Sequence, residues 1–127
     1  SRPLKRLHPS AAKVSFIWQT YLDVIDPLVK VFHIPSVQRY IMSTIEGREA
    51  VDPCTNCVVF AIYYATAISL SAAECRHELE EERPVLLQRY REGLELSLDA
   101  ADLSTSQDII VLQAFVLYLV ISLDQSI

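Results

Sequence analysis

The chain is expected to fold as an all-α bundle of about six helices joined by short loops. Apolar residues recur at three- and four-residue intervals along nearly the whole length, which is the spacing of one helical face, and no convincing strand alternation interrupts them. Cap residues and prolines punctuate these runs at the places where helices begin. Hydrophobic residues make up 51% of 127 residues and Gly only 2, a balance that supports one packed domain over residues 1–127 and argues against disorder.

Ser10 stands where an N-cap belongs, opening a first helix to about Val24 whose apolar face is Val14, Ile17, Trp18, Tyr21, Leu22 and Ile25. Asp26-Pro27 reads as a cap followed by proline at the first helical position and predicts a short helix over Leu28 to Phe32. Pro35 restarts the chain as a helix to about Ile45, with Gly47 as its stop. Asp52-Pro53 repeats the cap-then-proline signal before a long, almost wholly apolar helix from Cys54 to Leu70. Ser71 with Glu74 forms a capping box, opening a short helix to about Leu79. The charged run 78–83 is a solvated connection. Pro84 then starts a helix to about Ala101, with Leu86, Leu87, Tyr90, Leu94 and Leu98 to one side. Ser104 or Thr105 caps the last helix, from about Gln107 to Asp124.

Charge narrows the function. The chain carries 11 Lys+Arg against 16 Asp+Glu, a net charge of −5. Affinity for nucleic acid comes mostly from cations on phosphates, so direct nucleic-acid binding is not expected. The longest apolar runs, 57–70 and 109–123, fall short of the roughly 20 residues a membrane span needs, so no membrane partner is expected. Ser1 to Pro9 is polar and basic, unlike a signal peptide. With three cysteines, Cys54, Cys57 and Cys75, there is no secreted disulfide framework.

Several residues have chemistry to offer. Cys54 and Cys57 form a C-x-x-C at a helix start, where thiol pKa falls. A zinc site needs four ligands and no second pair is present, so no metal is expected; two small residues heading a buried helix is the plainer reading. Glu74 and His77 at a spacing of three read as a surface pair more readily than as ligands. His33 could serve as an acid or base near neutral pH, or fix a turn by bonding a helix end. Asp23 and Asp26 could divide acid and base roles, or act as a solvated group and a cap. Tyr63 and Tyr64 lie inside an apolar helix, so at least one phenol must be buried with a partner. Trp18 and Tyr21 are an aromatic wall one turn apart. No glycine-rich phosphate loop or nucleophile elbow occurs, so no cofactor is expected.

The wording of the chain adds to this. Leu7-His8-Pro9-Ser10, Ile17-Trp18-Gln19-Thr20-Tyr21-Leu22-Asp23, Ile25-Asp26-Pro27-Leu28, Lys30, His33, Pro35-Ser36 and Gln38 stand in the order of a known motif. Ala61-Ile62-Tyr63-Tyr64-Ala65, Leu86-Leu87-Gln88-Arg89-Tyr90-Arg91 and Leu112-Gln113-Ala114 with Leu117-Tyr118-Leu119 continue it. Together they resemble the N-terminal part of the regulatory middle homology domain of fungal binuclear zinc cluster (Zn2Cys6) transcription factors. The DNA-reading module of those factors holds two zinc ions on six cysteines. Three cysteines, none in a basic segment, cannot form it. The resemblance therefore implies a regulatory, ligand-binding or dimerisation domain without DNA-binding capacity of its own, nuclear or cytoplasmic, with further helices following in the parent domain. The last helix is apolar around its whole circumference and needs cover on all sides. A homodimer, or an apolar small-molecule ligand, is the expected cover, with Trp18, Tyr21 and Tyr64 as ligand-binding residues. The alternative is a small stand-alone enzyme for the cofactor-free cyclisation or isomerisation of an apolar fungal secondary metabolite, with His33, Asp26 and Tyr63 as its catalytic residues.

Overall fold

In a computed structural model that describes residues 2–47, 53–102 and 109–126, the chain is all-α, as its periodicity predicts. Among the described residues, seven α-helices run α1 Arg2–Leu7, α2 Ala11–Thr20, α3 Ile34–Ile45, α4 Pro53–Ser69, α5 Ala72–Leu79, α6 Arg83–Ala101 and α7 Ile109–Ser126, with a π-helical turn, Tyr21–Ile25, between α2 and α3. The predicted caps at Asp52, Ser104 and Thr105, and the predicted start at Gln107, lie outside the described residues.

Helix α4 is the axis of the molecule. Every residue from Asn56 to Ala67 is buried, because α6, α7, α2, the π-helical turn and α3 all pack against it. This explains why its sequence has no polar face: a helix surrounded on all sides has none to offer water. At Gly93 of α6 the fit against α4 is tight. A Cβ built there would lie 2.4 Å from Cε1 of Phe60, inside contact distance. Only a missing side chain leaves room for the Phe60 ring against this backbone. One turn on, the buried Ser97 hydroxyl donates to the Gly93 carbonyl at 2.7 Å.

The helix ends follow local chemistry. Ser71 Oγ accepts from Glu74 N at 3.0 Å, and Glu74 Oε1 accepts from Ser71 N at 2.8 Å, completing the capping box. Gly47 follows α3 at φ +75, the left-handed conformation glycine adopts without strain. Ser10 does occupy the N-cap of α2, but its side chain makes no capping bond. The Arg83 guanidinium donates from Nε to Leu70 O and from Nη2 to Ile68 O, both at 2.9 Å. It thereby takes up carbonyls at the end of α4 and ties them to the head of α6. Arg83→Ala is expected to cost about 1 kcal/mol in a urea titration, since these part-exposed carbonyls can be rehydrated.

Two expectations are corrected. First, no helix spans Leu28 to Phe32. Asp26 N bonds Tyr21 O at 3.0 Å, closing the wide π turn, and Leu28 N and Val29 N both bond Ile25 O at 2.9 Å. Asp26 therefore ends one element and caps none that follows. Its carboxylate accepts from Lys30 Nζ at 3.2 Å, not from backbone amides. A segment this short gains too few bonds to nucleate a helix. Second, a helix stands before Pro9 where none was expected. α1 is held by tertiary packing against α6, with Leu4 buried.

Candidate functional site

The link between α1 and α2 carries His8 onto the side of α4. Asn56 and Tyr63 lie two turns apart on that helix, so one imidazole reaches both. His8 Nδ1 is 2.9 Å from Tyr63 Oη and Nε2 is 3.3 Å from Asn56 Oδ1. The amide oxygen can only accept, so Nε2 carries the proton, and Nδ1 accepts from the phenol. The ring also packs on Phe60, with centroids 4.5 Å apart, and meets Tyr63 edge-on. Tyr63 continues the cluster to Tyr90, with centroids 5.3 Å apart. Burial lowers the His8 pKa, against an opposing effect of its bond to Asn56. Burial, with the neighbouring Tyr90, raises that of Tyr63 well above the usual phenol value. At neutral pH both groups are uncharged, which is what this chain of hydrogen bonds requires. Sequence reasoning placed His8 in a motif but missed its part in this cluster.

The residues predicted to act together have separate partners. Tyr63 is buried with a hydrogen-bond partner, as its place in an apolar helix demanded. His33 lies exposed at the N-cap of α3, its Nδ1 2.9 Å from Ser36 Oγ. Asp26 is paired with Lys30. Trp18 and Tyr21 do form a stacked pair, with centroids 5.8 Å apart and ring planes 7° from parallel. The Tyr21 hydroxyl is buried without a hydrogen-bond partner, as are Tyr90 Oη and Thr66 Oγ1. Burial, and then the nearby Asp26 charge, push the Tyr21 pKa up. Cys57 and Cys75 are fully buried and Cys54 partly so. Glu74 is occupied in its capping box and His77 pairs with Glu78. Among the described residues no cluster of three His, Cys, Asp or Glu could hold a metal ion.

Surface grooves lie among the described residues. One, of about 580 Å³, runs over α3 beside Ile34, Gln38, Arg39 and Met42. Another, of about 810 Å³, is lined by Tyr64, Leu87, Arg91 and Glu95 among others. Tyr64 is therefore the predicted ligand residue that reaches a groove. Its ring meets Tyr118 of α7 edge-on, with centroids 5.6 Å apart, and the Tyr118 hydroxyl donates to Glu95 Oε2 at 3.4 Å. The groove thus joins one aromatic ring, Tyr64, to the ionic side chains of Arg91, Glu92 and Glu95.

Beyond it lies the outer face of α7. Val111, Ala114, Leu117 and Ile121 are buried where α7 packs on α4. Ile109, Leu112, Val116, Leu119, Val120 and Leu123 are exposed, from 38% at Val116 to 65% at Ile109 and Leu123. Among the described residues, the bundle covers one side of this helix and leaves the other apolar side exposed. Among the described residues, no helix is long and apolar enough to cross a membrane.

Comparison with known proteins gives these features a setting. The chain is 39% identical to the aurofusarin cluster transcription factor of Gibberella zeae over 112 residues, which is 88% of this chain and 17% of that protein. It is 35% identical over 114 residues to the pyriculol/pyriculariol biosynthesis cluster transcription factor 1 of Pyricularia oryzae, 90% of this chain and 15% of the other. To the C6 finger domain transcription factor adaR of Aspergillus niger it is 33% identical over 108 residues, 80% of this chain and 13% of that one. The chain thus spans about a sixth of the length of these curated relatives. No family model matches it, and no solved structure does.

Proposed function

The chain is homologous to a short segment of fungal zinc cluster transcription factors, among them regulators of secondary-metabolite gene clusters, and on that premise we propose that it is a regulatory interaction module. It acts by associating with another protein chain, and it reads no DNA itself. The single observation that carries this reading is the match itself: nearly all of this chain aligns with transcription regulators, at 39% and 35% identity. The net charge of −5 supports it, since phosphate contacts need cations. The exposed apolar face of α7 supports the self-associating form, a homodimer, because large contiguous apolar patches on a surface mark interaction sites. The groove over Tyr64 is where an apolar small molecule would modulate the module. A nuclear place of action follows if its partner is a DNA-bound regulator.

Two measurements test this. Light scattering of the purified chain is expected to give twice the monomer mass. Expression of the chain in a fungus carrying one of the homologous regulators is expected to change transcription of the genes that the regulator controls. A monomer in solution together with unaltered transcripts would leave the reading without support.

A further inference from the structure

The exposed residues of α7 are arranged with a symmetry of their own. Taking Val116 as origin, Ile109 and Leu112 stand seven and four residues before it, and Val120 and Leu123 stand four and seven after it. Val116 stands at the centre, Leu112 and Val120 flank it, and Ile109 and Leu123 stand at the ends. Leu119, whose mate under the same spacing is Gln113, lies beside the centre. A stripe whose spacing reads the same in both directions is self-complementary under a two-fold axis perpendicular to the helix, the operation that relates two copies in an isologous dimer.

We propose that the outer face of α7 seats the α7 of a second copy, antiparallel, with Val116 on the two-fold axis. In this pairing Leu112 faces Val120 of the second copy and Ile109 faces its Leu123. The intervals of three and four residues are those of knobs-into-holes packing. The exposed apolar surface is on the order of several hundred Å², a large share of the ~800 Å² per partner in a standard interface. Charge permits the contact along the stripe itself: residues 109–123 include no Asp, Glu, Lys or Arg. Antiparallel helices also set their dipoles head to tail.

The inference rests on the self-associating form of the function proposed above, and cysteine cross-linking separates the two. Two copies of Val116→Cys meet on the axis and are expected to link under mild oxidation. Two copies of Leu123→Cys lie about 21 Å apart along the axis, at 1.5 Å rise per residue, and are expected not to link. Equal mixtures of Ile109→Cys and Leu123→Cys should give the mixed dimer. The unsubstituted chain, with Cys57 and Cys75 buried, sets the background. Leu112→Glu with Leu123→Glu is expected to yield a monomer whose far-UV circular dichroism is unchanged, since both positions are exposed. A dimer in which Leu123→Cys links to itself overturns the antiparallel pairing, as does one that survives the double glutamate substitution. In either case the homodimer stands. A monomer of the unsubstituted chain overturns both and leaves the face to a different partner.

Discussion

Gly93→Ala is expected to destabilise the fold by about 1–3 kcal/mol, although alanine is the better helix former. The two effects oppose each other, and geometry decides between them. Glycine inside a helix costs about 1 kcal/mol relative to alanine, so on an exposed surface the substitution would stabilise. Here the added methyl would lie 2.4 to 2.8 Å from three atoms of the Phe60 ring. That ring is completely buried and cannot give way, because His8 and Tyr63 pack around it with centroids at 4.5 and 5.2 Å. The helices must separate or the ring must leave its rotamer, and overpacking of this kind exceeds the gain in propensity. A cycle with Phe60→Leu separates the causes. Alone, Phe60→Leu leaves a gap and destabilises. Combined with Gly93→Ala it removes the clash, so the pair should be more stable than the sum of the single losses predicts. Urea midpoints for the four proteins measure this, and simple additivity would show that the α4–α6 contact is not what requires glycine.

The sequence declares most of the architecture because its signals are local. The capping box at Ser71 and Glu74, the proline near the start of α6 and the glycine after α3 each satisfy backbone groups within one turn, so three or four residues suffice to recognise them. The two apolar helices were also legible, and their different fates were partly so. α4 is surrounded, whereas α7 keeps an uncovered face. What escaped depends on distant neighbours. Gly93 reads in sequence as a weak point in a helix, and its purpose appears only with Phe60 opposite. α1 is six residues long and stands because Leu4 packs into the core. Asp26-Pro27 has the form of a helix start, yet Asp26 N closes the π turn on Tyr21 O, and the Ile25 carbonyl takes both Leu28 N and Val29 N in a turn that goes no further. The partners of His8 lie 48 and 55 residues away, beyond any periodicity.

His8 makes the stability of the domain depend on pH in a window above that of the carboxylates. Burial depresses its pKa in the folded chain below the ordinary 6.5. The folded state therefore disfavours the proton more than the unfolded chain does. Above pH 6.5 neither state is charged, and the stabilisation is fully present. As pH falls below 6.5 the unfolded chain takes up a proton that the folded one refuses, and stability declines by up to about 1.4 kcal/mol per pH unit, until the folded imidazole titrates as well. Protonation also gives Nδ1 a hydrogen to donate. The Tyr63 phenol must then turn to accept it, and its own hydrogen loses an acceptor within a buried aromatic cluster. Unfolding in urea at pH 7.5 and at pH 5.5 is expected to show a loss at the lower value for the unsubstituted chain and a smaller one for His8→Gln. The paired carboxylate Glu81, held below its usual pKa by its hydrogen bond to Arg89, titrates below this interval. His8→Ala should cost about 1–3 kcal/mol at pH 7.5, because it strands the Tyr63 hydroxyl and the Asn56 oxygen together. An equal decline in both proteins between pH 7.5 and 5.5 would show that another group carries the pH dependence.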